Sequence, residues 1–207
     1  MQALDESRNF VRFEIAKLAK ALHRLSGGRI TPDGITWAGV AAHLPIALLI
    51  AYGYLWQSGL LMIFFGLFDV LDGELARYNK TASPRGMMLD ASTDRLKEVM
   101  IYGGIAYYLS QTAYSAWSFV PLIACGSILT VSYIKAKGEV AYAINHKPDD
   151  HHKVNRMYSE GLVPFEMRTL IIIIGLLINQ VLIVSGLVAG LAIISVFERI
   201  SFIGSKV

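Results

Sequence analysis

Cysteine and charge are scarce in this sequence, and each shortage excludes a class of protein. The 207 residues include a single cysteine, Cys125, so neither a disulfide framework nor a zinc site built from thiolates can form within them. Charged residues make up 17% of the chain, against roughly 25% in ordinary globular proteins, and hydrophobic residues make up 54%. So large an apolar fraction excludes a disordered chain. The net charge of +3 is too small to indicate a nucleic-acid partner.

Three long stretches of the sequence contain no Asp, Glu, Lys or Arg. They cover residues 34–68, 99–134 and 169–197, and the first two are each about 35 residues long. A helix that crosses the hydrocarbon of a bilayer needs about 20 apolar residues. Each of the first two stretches therefore has room for two membrane-spanning helices joined by a short turn. Residues 57–59 and the polar run 110–118 are the candidate turns.

The third charge-free stretch is shorter, and either one long helix or two helices would fit it. Asn179 and Gln180 interrupt its apolar residues, which favours two helices. With six spans, all 19 Lys and Arg residues lie on one side of the membrane, and the positive-inside rule makes that side the cytoplasm. With five spans, Lys206 would lie outside. We therefore predict an all-α integral membrane bundle of six transmembrane helices over residues 31–207, with both termini cytoplasmic.

Residues 1–30 mix apolar and basic side chains at helical spacing. This pattern predicts a juxtamembrane amphipathic helix on the cytoplasmic surface of the membrane, with a fully solvated helix as the alternative. The segment has no continuous apolar core, so we expect no cleavable signal. Gly27 and Gly28 should end the helix. Residues 31–34, with the sequence Thr-Pro-Asp-Gly, should form a turn into the first span.

Four aspartates lie at the boundary between the second and third predicted spans. Asp69 and Asp72 are three residues apart on one helix, and Asp90 and Asp94 are four apart on the next, so each pair shares a helix face. If the two faces meet, the carboxylates repel one another, and a hard divalent cation with oxygen ligands relieves that repulsion. Two ions are compatible with four carboxylates. The alternative is a set of solvated carboxylates paired with neighbouring basic side chains.

Small and basic residues accompany these aspartates. Gly73 and Ala76 lie one turn beyond the first pair, and their small side chains would let a planar base or a diphosphate approach the helix backbone. Arg77 can meet a phosphate with its planar guanidinium. Gly86 would let the two helices cross closely. The cluster therefore indicates a site for a metal ion together with a phosphorylated ligand.

The complete pattern, Asp69-x2-Asp72-Gly73-x2-Ala76-Arg77-x8-Gly86-x3-Asp90-x3-Asp94, resembles the signature of the CDP-alcohol phosphatidyltransferase family. Members of that family are integral membrane enzymes that transfer a phosphatidyl group from a CDP-linked lipid such as CDP-diacylglycerol to the hydroxyl of an alcohol, releasing CMP. The resemblance implies that the four aspartates bind two divalent metal ions, either Mg2+ or Mn2+. It also implies that Asp94 is the general base.

The same resemblance implies further site residues and an assembly. The CDP part of the lipid would be held by residues of the signature and of the preceding turn, namely Gly73, Ala76, Arg77, Ser83, Thr31, Pro32, Asp33 and Gly34. The active site would face the cytoplasm, and the enzyme would be a homodimer acting in phospholipid biosynthesis.

Three cations outside the signature bear on the acceptor alcohol. Lys135, Arg168 and Arg199 each lie at a predicted cytoplasmic boundary, where together they would bind the phosphate of a phosphorylated acceptor. The alternative is that they are anchors whose charged ends reach the membrane surface. The run 132–137 resembles the bacterial phosphatidylinositol-phosphate synthase branch of the family, in which matching cations hold the phosphate of inositol phosphate. That resemblance makes inositol phosphate the expected acceptor.

Other functions stay open at this point. Residues 161–168 depart from that branch, so phosphatidylglycerophosphate synthesis from glycerol 3-phosphate is the alternative, and an ether-lipid donor is compatible with the sequence. A distant alternative is an ion-coupled transporter that uses the acids as its ion site. Transport sites are expected near the bilayer midplane within internal repeats, whereas these acids lie at one edge of the apolar segments beside basic residues. The sequence assigns no role to the loop over residues 145–160.

Overall fold

The structure is a computed structural model, and it describes residues 15–145, apart from residue 22, and residues 164–204. The side chains at positions 69, 142, 143 and 145 lie outside the described part. Every regular element in the described ranges is a helix, which confirms the prediction of an all-α chain. Residues 15–21 and 23–25 are helical. The longer helices are α1 (Pro32–Ala51), α2 (Leu55–Tyr78), α3 (Pro84–Ser110), α4 (Val120–Asn145), α5 (Phe165–Leu177) and α6 (Val181–Gly204), with a 3-10 turn at Ser115–Trp117.

Three helical stretches in the described part are long and apolar enough to cross a membrane. They are Pro32–Ala51, Ser115–Ala141 and Val181–Gly204, with mean hydropathies of 1.7, 1.6 and 2.3. These segments are typical of a membrane-integral protein. Helices α2 and α3 are also long, but each carries several charged residues towards one end, and α5 has 13 residues. The count of six spans therefore stays a prediction.

The chain divides into two compact units, each with its own packing. The first comprises the described residues up to Leu48 together with Leu60–Ile101. Its core joins Ile15 and Ala19 of the N-terminal helical segment to Ile35 of α1 and to Leu71 and Leu75 of α2. One face of the N-terminal segment therefore packs on α1 and α2. Its placement on a membrane surface stays a prediction, and residues 1–14 lie outside the described part.

The second unit comprises Leu49–Gly59 and the described residues from Tyr102 onward. Helix α6 packs against both α4 and α5. Glycines permit the close approaches: a Cβ atom on Gly138 would lie 2.7 Å from Ile203 Cδ1, and one on Gly175 would lie 2.2 Å from Val184 Cγ2. Small residues at such contacts are typical of helices packed in membranes, where backbones approach closely.

Several helices end in the same way, with one residue at positive φ. After α1 this residue is Gly53, with φ 85°, and the N–H of Tyr54 donates to the carbonyl of Leu49 at 2.9 Å. After α5 it is Asn179, with φ 59°, and the N–H of Gln180 donates to the carbonyl of Gly175 at 2.8 Å. Such hydrogen bonds satisfy carbonyls that the helix leaves unpaired.

These helix ends test the predicted breaks. The predicted breaks at Gly27 and Gly28, over residues 110–118, and near Asn179 are confirmed. The predicted turn over residues 57–59 is wrong, because the loop lies at residues 52–54, where Gly53 supplies the positive φ. Gly59 lies inside α2, and a Cβ atom there would be 3.0 Å from Leu177 Cδ2. That glycine therefore serves helix packing and not a turn.

We expect Gly53→Val to destabilise the protein. A β-branched residue at φ 85° is strained, and its Cβ would also lie 3.3 Å from Tyr108 Cε2. The left-handed conformation alone costs about 1–2 kcal/mol for a residue with a side chain. Chemical unfolding in detergent micelles would measure the loss. Gly66→Ala is the control, since no atom lies within 4 Å of its Cβ position, and it should not destabilise. Equal stability of Gly53→Val and the wild type would contradict this account of the loop.

Candidate active site

The predicted donor-binding turns are the capped beginnings of two helices. Thr31 Oγ1 accepts a hydrogen bond from the N–H of Gly34 at 3.1 Å, and Ser83 Oγ accepts one from the N–H of Gly86 at 3.2 Å. A proline follows each hydroxyl residue at the first helical position, where its missing N–H costs nothing. Residues 32–34 are therefore the first turn of α1, whereas the sequence analysis placed them in a turn before it.

An ion pair brings the beginnings of α1 and α3 together within the first unit. Arg85 Nη2 lies 3.9 Å from Asp33 Oδ2, and both side chains are largely exposed. A solvent-exposed pair at that distance contributes little stability. It does show that Asp33, one of the predicted donor-binding residues, lies close to the N-terminal turn of α3.

Asp72 is buried between α1 and α2. The residue is 5% exposed, and one of its carboxylate oxygens, Oδ2, accepts a hydrogen bond from Thr36 Oγ1 at 2.5 Å. A buried carboxylate requires such donors because removal from water is costly. Thr36 was not predicted as a site residue, and its only signal in the sequence is a hydroxyl in a largely apolar helix close to the Thr31 cap.

The second aspartate pair lies on α3. Asp94 Oδ1 is 3.2 Å from Lys97 Nζ, and the lysine side chain is 4% exposed. Arg95 pairs with Glu98 on the same helix, and Asp90 is exposed. Asp94 is thus held by a buried cation. Pairing of the aspartates with neighbouring basic side chains is part of the alternative to a metal site given above.

The donor chemistry of these aspartates suits a hard divalent cation, since carboxylate oxygens are the ligands such ions prefer. Among the described side chains, no three His, Cys, Asp or Glu residues lie close enough together to hold a metal ion. The Asp69 side chain lies outside the described part. The four-aspartate metal site therefore stays a prediction.

Arg77 lies over the predicted glycine of the signature. Its Nη2 is 2.6 Å from Glu74 Oε1, and a Cβ atom on Gly73 would lie 3.6 Å from the same nitrogen. The absent side chain thus leaves room for the guanidinium beside the helix backbone. Ala76 is half-buried, and its carbonyl accepts a hydrogen bond from the N–H of Thr81 at the end of α2. Glu74, which orients Arg77, was missed in the sequence analysis.

The three predicted acceptor cations all belong to the second unit. Lys135 Nζ lies 3.8 Å from Glu139 Oε1, one turn further along α4. Arg199 of α6 lies within electrostatic range of both Glu139 of α4, which attracts it, and Arg168 of α5, which repels it. Arg168 is 8% exposed and lies over the ring of Phe165. Burial of that kind is not typical of an anchor that extends to the membrane surface.

We expect Thr36→Val to destabilise the first unit, because the nearly isosteric valine leaves the buried Asp72 carboxylate without this donor. Hydrogen bonds to charged groups are worth about 1.5–3 kcal/mol. Denaturant unfolding would measure the loss, and Thr36→Ser, which keeps the hydroxyl, should retain most of the stability. If valine were tolerated as well as serine, the hydrogen bond would have no structural importance.

Comparisons with known proteins identify the family. The family model of the CDP-alcohol phosphatidyltransferases matches residues 29–197. A phosphatidylinositol phosphate synthase of Cutibacterium acnes is 34% identical over 124 residues, which cover 59% of this chain and 58% of that protein. Its counterpart in Mycolicibacterium smegmatis is 35% identical over 114 residues, covering 54% and 51%. The chain thus spans little more than half the length of these curated relatives.

Solved structures agree on the fold. The crystal structure of the Mycobacterium tuberculosis phosphatidylinositol phosphate synthase with CDP-DAG bound matches with a TM-score of 0.77 at 24% identity, covering 91% of this chain and 92% of that one. A second structure of the same enzyme, in complex with manganese and citrate, matches with a TM-score of 0.78, covering 92% and 89%. The family match extends over most of the chain and includes both aspartate pairs of α2 and α3. This chain therefore belongs to the CDP-alcohol phosphatidyltransferase family, as its acidic signature predicted.

Proposed function

We propose that the protein transfers a phosphatidyl group from CDP-diacylglycerol to the hydroxyl of a phosphorylated polyol, inositol phosphate, and releases CMP. The observation that carries this proposal is the intact signature on α2 and α3 in a chain that the family model matches over residues 29–197. Relatives that are 34% and 35% identical are phosphatidylinositol phosphate synthases, which supports the choice of acceptor.

The donor lipid binds to residues of the first unit. The CDP part of the lipid binds at the capped beginnings of α1 and α3 and along α2, through Thr31, Pro32, Asp33, Gly34, Gly73, Ala76, Arg77 and Ser83. The exposed guanidinium of Arg77 meets a phosphate, and Glu74 holds it in place at 2.6 Å. Gly73 keeps the space beside the backbone open for the ligand.

The metal site is the second element of the proposal. Asp69, Asp72, Asp90 and Asp94 hold two divalent ions, Mg2+ or Mn2+, and the manganese complex of the Mycobacterium tuberculosis enzyme supports a divalent cation. When bound, these ions offset the negative charge of the diphosphate and of the departing CMP. Thr36 fixes the carboxylate of Asp72 by a 2.5 Å hydrogen bond, which keeps it ready to coordinate without reorganisation.

Asp94 serves as the general base. Its carboxylate takes the proton from the acceptor hydroxyl as that oxygen bonds to the phosphorus atom carrying the diacylglycerol. The bond from this phosphorus to the oxygen of CMP breaks, and the electron pair leaves with CMP. Lys97, at 3.2 Å and almost completely buried, fixes the orientation of Asp94.

The acceptor phosphate binds to Lys135, Arg168 and Arg199. Three cations carried by α4, α5 and α6 suit a phosphate monoester, since charge-assisted hydrogen bonds to phosphate are the strong ones. We further propose that six spans place both termini and the active site on the cytoplasmic side of the cell membrane, and that the enzyme is a homodimer. The family resemblance supports both of these statements.

A CMP-release assay with the purified protein tests the reaction. CDP-diacylglycerol would be offered with inositol phosphate, inositol, glycerol 3-phosphate or serine, each with Mg2+ and with EDTA. We expect release with inositol phosphate and Mg2+, and none with EDTA. A preference for glycerol 3-phosphate would favour the phosphatidylglycerophosphate alternative. Release that persists in EDTA after the metal has been stripped would contradict the carboxylate mechanism.

Substitutions of the aspartates separate their roles. Asp72→Asn and Asp90→Asn should each lower activity by orders of magnitude in a protein that still folds, because each removes a metal ligand. Asp94→Asn should lower the maximal rate more than it weakens donor binding. If Asp94→Asn weakened only donor binding and kept the maximal rate, the general-base role would be wrong.

Substitutions of the acceptor cations should act on one substrate. Arg168→Ala and Arg199→Ala should each raise the KM for inositol phosphate about ten- to hundredfold, since a charge-assisted contact is worth roughly 1.5–3 kcal/mol. The KM for CDP-diacylglycerol should change little, whereas Arg77→Ala should raise it. Lys137→Ala is the control, because Lys137 lies over the ring of Tyr133 on the same helix. Lower stability with both KM values unchanged would identify the arginines as anchors.

A further inference from the structure

Glu139 places a negative charge beside Lys135, one of the three acceptor cations. It lies one helical turn after Lys135 on α4, with its Oε1 3.8 Å from Lys135 Nζ, and about a third of each side chain is exposed (36% and 32%). A distance of 3.8 Å is too long for a hydrogen bond, so the pair is held loosely. A ligand that enters from solvent can therefore reach both side chains.

The packing of α4 on α6 brings the same carboxylate within range of Arg199. Gly138, next to Glu139, lies against Ile203, which is one turn beyond Arg199 on α6. Arg199 is attracted by Glu139 and repelled by the buried Arg168. At Arg199, Glu139 thus offsets part of the repulsion from Arg168, and the same carboxylate lies beside Lys135.

A phosphate that binds these cations must compete with the carboxylate already beside them. Inorganic phosphate binds the cations but repels Glu139, and near neutral pH it can donate to that carboxylate only through the one or two protons on its own phosphate oxygens. A phosphorylated polyol carries hydroxyl groups close to its phosphate, and a carboxylate released from its cations accepts hydrogen bonds from such hydroxyls. The two ligands therefore differ in the hydrogen bonds that they can donate to Glu139.

We infer that Glu139 is a specificity-determining residue that exchanges its cationic partners for the hydroxyl groups of the acceptor when the phosphate of the acceptor binds. It makes the site discriminate a polyol phosphate from free phosphate. This inference rests on the proposed function, because it assumes that the three cations hold the acceptor phosphate.

Binding measurements on the full chain in detergent micelles test the exchange. Isothermal titration would give the dissociation constants of inorganic phosphate and of inositol monophosphate for the wild type and for Glu139→Gln, without CDP-diacylglycerol. Glu139→Gln should bind inorganic phosphate about three- to tenfold more tightly, as expected for the loss of one partly exposed charge. It should bind inositol monophosphate no more tightly than the wild type, so discrimination between the two should fall by that factor.

Two variants control for charge and for folding. Glu166→Gln removes one exposed negative charge from the first turn of α5 and should leave both constants unchanged. Glu139→Asp keeps the charge and should leave the affinity for inorganic phosphate within about twofold of the wild type. If Glu139→Gln does not fold, the binding constants of Glu139→Asp are compared with those of the wild type instead.

The other outcomes would overturn the inference. If Glu139→Gln bound both ligands more tightly by the same factor, Glu139 would be a simple counter-ion. If the variant bound both ligands more weakly, Glu139 would be a structural support for the cations. Unchanged constants would show that it has no role in binding. Failure of the proposed function is distinguishable, because it would appear as a wild type that releases no CMP with any acceptor, whatever the binding constants of the variants.

Discussion

The hydrogen bond from Thr36 to the buried carboxylate of Asp72 is the interaction on which the proposed donor site depends. It joins α1 to α2 at the depth where the apolar part of α2 gives way to its acidic signature. A charge in that position is tolerated only when donors or cations surround it. The capped beginning of α1, one turn away, fixes the position of Thr36. The caps, the signature and the packing of the N-terminal segment on Leu71 and Leu75 therefore support one another.

In the second unit the main electrostatic interaction is repulsion between cations that lie near one another. Arg168 is buried and lies within range of Arg199, and Glu139 is the acidic group that attracts Arg199. Close contact at Gly138 lets α4 supply that carboxylate. A binding site for an anion must keep its cations together before the anion arrives, and an internal carboxylate does this at the expense of some affinity. In the acceptor site that we propose, this balance is the basis for discriminating a polyol phosphate from free phosphate.

Sequence patterns predicted much of this architecture, because the helix ends are encoded locally. Gly27 and Gly28, the polar run over residues 110–118 and Asn179 mark real breaks, and each depends on a residue that tolerates a turn. The predicted turn over residues 57–59 failed because Gly59 is required for packing against Leu177, a contact that no local pattern reveals. Glu74 and Glu139 were missed because a charged pair within one helix, with Arg77 and with Lys135 respectively, is common on solvated helices and does not by itself indicate a site. Thr36 was missed for a reason related to that of Gly59. Its partner, Asp72, lies on another helix and becomes evident only when the two helices are placed together, whereas the aspartates are recognisable from spacing alone.

The central claim is that the aspartates of α2 and α3 bind the divalent cation on which the transfer depends. A crystal structure of the protein grown with Mn2+ and CDP-diacylglycerol, with anomalous diffraction recorded at the manganese edge, tests this most directly. The account predicts anomalous peaks coordinated by Asp69, Asp72, Asp90 and Asp94 and by a phosphate oxygen of the lipid. Manganese bound elsewhere in an active sample, with these four carboxylates uncoordinated, would contradict it.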